Sequence, residues 1–428
     1  MSRRYSRRPR PVGGLITVVT AAVLSTATLP AHAVPEGTVV GAGRAGAVGG
    51  SYLVTLKEGI EGASAAGRDV AARYGAKISH TYGTVLNGYA VEASAAQAGR
   101  LAADSRVASV VQDSRVRLAR TQTSTQASAQ TSTRANTQAI TRADTRNSTQ
   151  KHPPSWGLDR VDQAGLPLNG SYTSPGSAGA GVTVYVIDTG VRITHADFGG
   201  RASYGWDFVG NDRSAGDGNG HGTHVAGIIA GTRYGVAKKA RIVSVRVLDD
   251  TGSGTTAQVI AGVDWVTAHA RRPTVANLSL GGYHSAQLDT AVRNSIKAGV
   301  TYTVAAGNDG LPAARYSPAD VSQALTVGAT DRTDTRPGFS DYGSAVDLFA
   351  PGVAITSDSN ASDTARATYS GTSMAAPHVA GAAALYLAGH PGATPARVAG
   401  ALIAGAASGK VSNAGRGSPN RLLRVPES

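Results

Sequence analysis

The sequence predicts an α/β protein built on a doubly wound, mostly parallel sheet and preceded by a small α+β unit. Three observations predict it. From residue 155 onward, short runs rich in Val, Ile and Ala alternate with helical patterns. Near-continuous apolar runs of that kind suit a parallel sheet covered on both faces. Between residues 34 and 119 the patterns come in the order β-α-β-β-α-β, the ferredoxin-like arrangement. The chain is also 428 residues long, which sets an expectation of two folded units plus tails.

Residues 1–33 open with Arg3, Arg4, Arg7, Arg8 and Arg10, then an apolar run from Val12 to about Leu29, then Ala31-His32-Ala33. That is the layout of a secretory signal peptide, removed after Ala33; Thr and Ser interrupt the run, which disfavours a retained anchor. In the unit at 34–119, residues 52–56, 78–82, 89–91 and 107–112 read as strands, and residues 60–74 and 94–103 as helices. Residues 120–150 are Thr, Gln, Ser, Ala and Arg with almost no large apolar side chain. Such a segment cannot offset its ordering entropy, so a flexible, cleavable linker is expected. In the domain at 151–428, candidate strands are 182–187, 242–248, 275–279, 300–305 and 324–329. Candidate helices are 222–230, 256–269, 288–298, 373–387 and 394–402. Sheets of this type bind ligands beyond the carboxyl ends of their strands, and both Asp188 and Asn308 follow a strand.

The net charge of +13 invites a polyanion partner until it is located. Residues 1–150 hold 18 Lys and Arg against 8 Asp and Glu, a net +10, whereas residues 151–428 hold 23 against 20, a net +3. The basicity sits outside the chemical domain, and aromatic residues make up only 5%, so nucleic-acid binding is not expected. There is no cysteine, and a domain of this length can bury enough apolar surface without disulfides.

Three motifs carry the chemistry. In Gly371-Thr372-Ser373-Met374-Ala375-Ala376-Pro377-His378, a serine precedes an Ala-rich run that reads as a buried helix beginning at Ser373, with Pro377 in its first turn. Backbone N–H groups at such a helix start suit a developing oxyanion. Alone, the segment fits a serine N-cap on a core helix equally well. The apolar, β-branched run at 182–187 ends in Asp188, and Asp217-Gly218-Asn219-Gly220-His221-Gly222-Thr223-His224 sets His221 at the start of a small-residue helix. A nucleophilic serine needs a base, and the base needs a carboxylate to fix its tautomer.

The order Asp, His, Ser with these flanking residues resembles the subtilisin-like serine proteases, most closely the proteinase K branch, over about residues 156–425. The unit at 34–119 resembles the inhibitory propeptide of those enzymes, at Asn87-Gly88-Tyr89 and Val110-Val111-Gln112-Asp113. The resemblance implies a secreted, extracellular endopeptidase made as a self-processing precursor, with cleavage between 119 and 155. Ser373 is then the nucleophile, His221 the base and Asp188 its partner. The Asn308 side chain would join the Ser373 N–H as oxyanion donor. Ser279, Leu280 and Gly281 would form one wall of the specificity pocket, Ala305, Ala306 and Gly307 the other, with Tyr316 at its floor. With no acidic residue on these walls, apolar or aromatic side chains are expected to be favoured before the cut bond. Residues 247–254 resemble an edge on which an extended peptide adds as a strand, which implies broad specificity.

Asp347 matches a calcium-binding aspartate of the proteinase K branch, with carbonyls near Ser322 and Ala324; a loop-capping Asp explains it as well. No cofactor is expected for catalysis, and a structural calcium is possible. Partners are polypeptide substrates and the chain's own propeptide as intramolecular inhibitor. No membrane association after signal removal, and a monomer, complete the expectation. The missing cysteines depart from proteinase K, which carries disulfides. His195, His224 and His378 read as packing or local hydrogen bonds. An esterase of the α/β-hydrolase type would need the order Ser, acid, His and a second glycine where Ala375 stands. A non-enzymatic protein on a dead protease scaffold would be expected to lack one of the four catalytic groups, and none is missing.

Overall fold

The computed structural model describes residues 36–118, 122–123 and 147–426. The signal peptide expected at 1–33 lies outside them, as does most of the linker expected at 120–150. The described residues fall in one compact unit.

The N-terminal part is an antiparallel sheet in the order Val107–Leu118, Ala47–Leu56, Gly88–Glu92, Lys77–Tyr82, which is the ferredoxin-like order. Alternation along the strands sends residues to two faces. Tyr52, Val54, Tyr89 and Val91 meet the helices Ala65–Arg73 and Ala95–Ala103 through Val70, Ala71, Ala98 and Leu101. Leu53 and Ala90, from the other face, join a core shared with the larger domain. The first helix begins at Ala65, because Ser64 accepts from Gly67 N and Asn87 holds the preceding turn through Gly62 N (2.9 Å) and Ile60 O (2.8 Å).

The larger domain is wound around a nine-stranded sheet. Its order is Ala202–Asp207, Arg241–Arg246, Thr183–Asp188, Thr274–Leu278, Thr301–Ala305, Leu325–Thr330, Leu348–Pro351, Arg421–Leu422, Ala407–Ser408. All pairs are parallel except the last. Along Thr183–Asp188, Val184 and Val186 point into one core with the helices His221–Ala230 and Thr372–Gly389. Tyr185 and Ile187 point into the other, with Thr256–His269 and Ala286–Ala298. Covering both faces is why the central strands are nearly all buried and mostly apolar on either side.

Three expectations are corrected. Asn147–Lys151, most of which was expected to belong to the linker, pairs with Ser171–Pro175 as a two-stranded ribbon. The Val107–Leu118 strand continues six residues past Gln112, because its far half pairs with the larger domain. The serine helix starts at Thr372, so Pro377 lies inside it rather than in its first turn. Proline has no N–H for the carbonyl of the residue four positions back, which is Ser373. The Ser279 hydroxyl fills that vacancy, donating to Ser373 O at 2.9 Å.

Candidate active site

Asp188 is the last residue of its strand and fully buried. His221 opens its helix after Gly220, which takes φ +105 as the N-cap. Gly222 lets that helix reach the strand end, since a Cβ there would collide with Gly190 O. The outcome is a hydrogen bond of 2.8 Å between His221 Nδ1 and Asp188 Oδ1. A carboxylate only accepts, so Nδ1 carries the proton and a neutral ring presents a lone pair at Nε2. Nε2 is buried and has no hydrogen-bond partner. The loop before His221 is knotted by Asp217, which accepts from Asn219 N (3.0 Å), Gly220 N (2.7 Å), Thr223 N (2.9 Å) and the Thr189 hydroxyl (2.9 Å).

Ser373 lies in the first turn of a helix packed against the His221 helix, with the positive end of the dipole beside it. Its Oγ donates to Ser279 O at 3.1 Å, so a Ser373–His221 hydrogen bond is not formed. Asn308 Oδ1 accepts from Thr372 N and Thr372 Oγ1, both at 2.8 Å, which turns Nδ2 away from them. A methyl group built on Gly371 would stand 2.9 Å from Asn308 Nδ2 and 3.7 Å from Ser373 N. The two expected oxyanion donors therefore border one small space kept open by a glycine.

A cavity of about 390 Å³ lies alongside, lined by Leu280, Gly281, Ala305, Ala306, Gly307 and Tyr316 of the expected pocket, together with Asn308. Ser279 is not on its lining; it is fully buried and bonded to Ser373 instead. The expectation of walls free of acid is also corrected, because Asp309 and Asp341 both line the cavity. Asp341 arrives from a distant loop, held by Asp309 N (3.0 Å) and Leu311 N (2.8 Å), and its Oδ2 packs where a Gly307 side chain would be. Burial pushes its carboxyl up to about 6.

The cleft is occupied. The Val107–Leu118 strand inserts antiparallel between Ser253–Thr255 and Leu280–Tyr283, pairing Val116 with Gly254 and Gly282, Arg117 with Ser253 and Gly281, and Leu118 with Leu280. Downstream, Gln122 pairs with Ser370 and Thr123 with Tyr369. The N-terminal sheet docks on the helix Thr256–His269: Asp113 Oδ1 accepts from Ala257 N (3.1 Å), Tyr82 donates to Ala257 O (3.1 Å), and Asp264 Oδ1 accepts from Thr84 N and Val85 N (both 2.8 Å). An acid at a helix N-terminus is favourably placed.

The three histidines expected to be structural are so. His224 Nε2 meets Ile355 O (3.0 Å), His378 Nδ1 meets Met374 O (2.8 Å), and His195 Nε2 meets Ala365 O (2.9 Å). Asp347 accepts from Thr326 N at 2.8 Å, and burial pushes its carboxyl up to about 6, with the charge of Arg421 offsetting part of the shift. Sequence reasoning missed the roles of Asp217, Thr372 and the Ser279 hydroxyl, although each sits inside a motif already singled out. Among the described residues, no helix is long and apolar enough to cross a membrane.

Comparison with known proteins agrees with this arrangement. Residues 179–423 match the subtilase family and residues 51–119 match the peptidase inhibitor I9 family. The chain is 44% identical to an extracellular serine proteinase of Thermus sp. strain Rt41A, over 97% of this chain and 99% of that protein. It is 40% identical to a cuticle-degrading serine protease of Arthrobotrys oligospora, over 96% and 98% respectively. A solved structure described as a cold adapted subtilisin-like serine proteinase superposes with a TM-score of 0.62 at 53% identity, covering 64% of this chain and 98% of that one. With a cleft bearing a buried Asp–His pair ahead of a helix-borne serine, and an inhibitor-type sheet seated over it, the chain belongs to the subtilase family of serine proteases and carries an I9 propeptide.

Proposed function

We propose that the chain is exported, cuts itself at the end of its propeptide, and then acts extracellularly as a monomeric endopeptidase of broad specificity. The observation that carries this reading is the 2.8 Å contact from Asp188 to His221, which fixes the imidazole with its lone pair at a buried Nε2. Ser373 Oγ attacks the substrate carbonyl while its proton passes to His221 Nε2, and Asp188 stabilises the imidazolium. The tetrahedral oxygen sits between Asn308 Nδ2 and Ser373 N, where one such donor is worth ~10²–10³ in rate. As the C–N bond breaks, His221 returns the proton to the leaving amine, and water then repeats the sequence on the acyl-enzyme. In this reading catalysis uses no cofactor. A calcium ion at Asp347 would be structural, adding charge beside a buried carboxylate. Apolar or aromatic side chains are favoured before the cut bond; Asp309 on the pocket lining favours a second reading, in which basic side chains are also accepted.

The strand register supports a particular maturation bond. The Leu118–Leu280 pair lies one residue short of Ser279, whose carbonyl holds Ser373 Oγ, so the proposed cut falls one residue beyond Leu118. The acyl donor of self-cleavage is then Ala119 and the new N-terminus Arg120. The test is N-terminal sequencing of freshly processed protein beside a Ser373→Ala chain. We expect Arg120 in the first and an uncut precursor in the second. Normal self-processing by Ser373→Ala would overturn the nucleophile, and a first cut at another bond would overturn the register.

A further inference from the structure

The chain leaves the peptide-binding strand Leu280–Tyr283 through His284 and Ser285 and enters the helix Ala286–Ala298, with Ser285 as its N-cap. Asp289 lies one turn in, yet it is only 2% exposed. Its Oδ2 is 3.5 Å from His284 Nδ1, and its buried Oδ1 has no hydrogen-bond partner. Asp320, from the loop after Tyr316–Ser317, brings its Oδ2 to 2.9 Å of the same nitrogen, and its buried Oδ1 is likewise without a partner. One ligand atom from each of the three residues lies within 4.8 Å of the others.

This cluster is short of positive charge. One Nδ1 proton, with the Ser317 hydroxyl beside Asp289, faces two carboxylates, and an oxygen of each is left buried without a partner, where an unpaired polar atom is costly. Nothing in the proposed hydrolytic mechanism uses these groups. A dication bound to Nδ1 and one oxygen of each carboxylate would neutralise both acids. The His284 side chain is 61% exposed, so the position is open to solvent for loading and for a water ligand.

We propose that His284, Asp289 and Asp320 form a binding site for a divalent transition-metal ion of the zinc class. One imidazole nitrogen and two carboxylate oxygens with an open fourth position match the tetrahedral preference of Zn²⁺, whereas Ca²⁺ prefers an all-oxygen shell. The site is distinct from Asp347. Its effect follows from where it sits: Gly282 pairs with Ser317 and Tyr283 with Tyr316, and Ser285 N donates to the Ser317 hydroxyl at 2.8 Å. An ion bridging His284 and Asp289 to Asp320 staples the strand that receives the peptide to the strand behind it.

The test uses the full-length, untagged chain carrying Ser373→Ala, stripped of metal and titrated with Co²⁺ and then Zn²⁺. We expect one equivalent of Co²⁺ with visible d–d absorption, displacement by Zn²⁺, and a rise in thermal midpoint beyond that given by saturating Ca²⁺. His284→Ala, an exposed position whose loss leaves the fold intact, and Asp320→Asn should each weaken binding by at least ~10-fold. A metal-free melt matching the parent verifies that each variant is folded. No Co²⁺ absorption at millimolar metal, or equal binding by parent and both variants, would overturn the site.

Discussion

Val116 is the residue on which propeptide inhibition should turn. It is 1% exposed, lodged between Gly254 and Gly282 and sharing a core with Leu248, Val259 and Leu280, whereas its neighbours Arg115 and Arg117 are exposed. Val116→Ala in the full-length chain deletes two buried methyl groups. At ~0.8 kcal/mol per carbon, plus a small cavity cost, the loss is ~1–2 kcal/mol. If that surface is buried only while the propeptide is docked, the loss appears in the dissociation constant as a ~5–30-fold weakening. The assay is dilution of the freshly processed complex into a chromogenic peptide, reading the enzyme concentration at which half the activity is released. N-terminal sequencing verifies that the same bond was cut. Arg117→Ala, which keeps the backbone pairing and removes only an exposed side chain, should stay within ~2-fold. Equal behaviour of Val116→Ala and wild type, or a larger effect from Arg117→Ala, would refute the claim that the buried face of this strand supplies the grip.

Three further perturbations test the site and its supports. Asp188→Asn keeps the shape of the pair but no longer holds the ring with its lone pair at Nε2, so kcat should fall ~10⁴-fold with an unchanged circular dichroism spectrum; a loss under tenfold would remove Asp188 from the mechanism. With transition metals excluded from the buffer, calcium removal by chelator should lower the thermal midpoint of the Ser373→Ala chain, and Asp347→Asn should abolish that sensitivity; identical melts with and without chelator would dismiss the calcium proposal. Asp358 is fully buried with neither carboxylate oxygen hydrogen-bonded, and burial together with the charge of Asp197 holds its carboxyl well above the ordinary range. A raised acid keeps a proton in the folded state that the unfolded chain releases above about pH 4, so stability declines as pH rises from there through the folded value. His195 Nδ1 lies 3.5 Å away, while Arg233 and Arg201 offset part of the shift. Asp358→Asn should therefore raise the thermal midpoint more at pH 8 than at pH 4, and a pH-independent difference would contradict this account.

Much of the sheet was legible because a strand buried on both faces is mostly apolar rather than alternating, a signal carried within a few residues. The helix Thr256–His269 was readable end to end, since Thr255 and Gln258 close a capping box of purely local origin. What was hidden depends on partners remote in sequence. Residues 113–117 read Asp-Ser-Arg-Val-Arg and carry no isolated strand signal, yet they are strand because two edges some 140 and 165 positions away accept them. Asp341 could not be assigned to the pocket from its own neighbourhood, because only the turn at Asp309 and Leu311 draws it beneath Gly307. Pro377 makes the same point beside Ser373, the proposed nucleophile. A proline six residues into a helix violates the local rule, and the violation is tolerated because Ser279 donates the hydrogen bond that residue 377 cannot. That substitution ties the serine helix to the segment leading into the peptide-binding strand. Ser279 gives its hydroxyl to the Ser373 carbonyl and takes the Ser373 hydroxyl on its own carbonyl, so Ser373 is positioned through the segment just ahead of the strand that pairs with the propeptide.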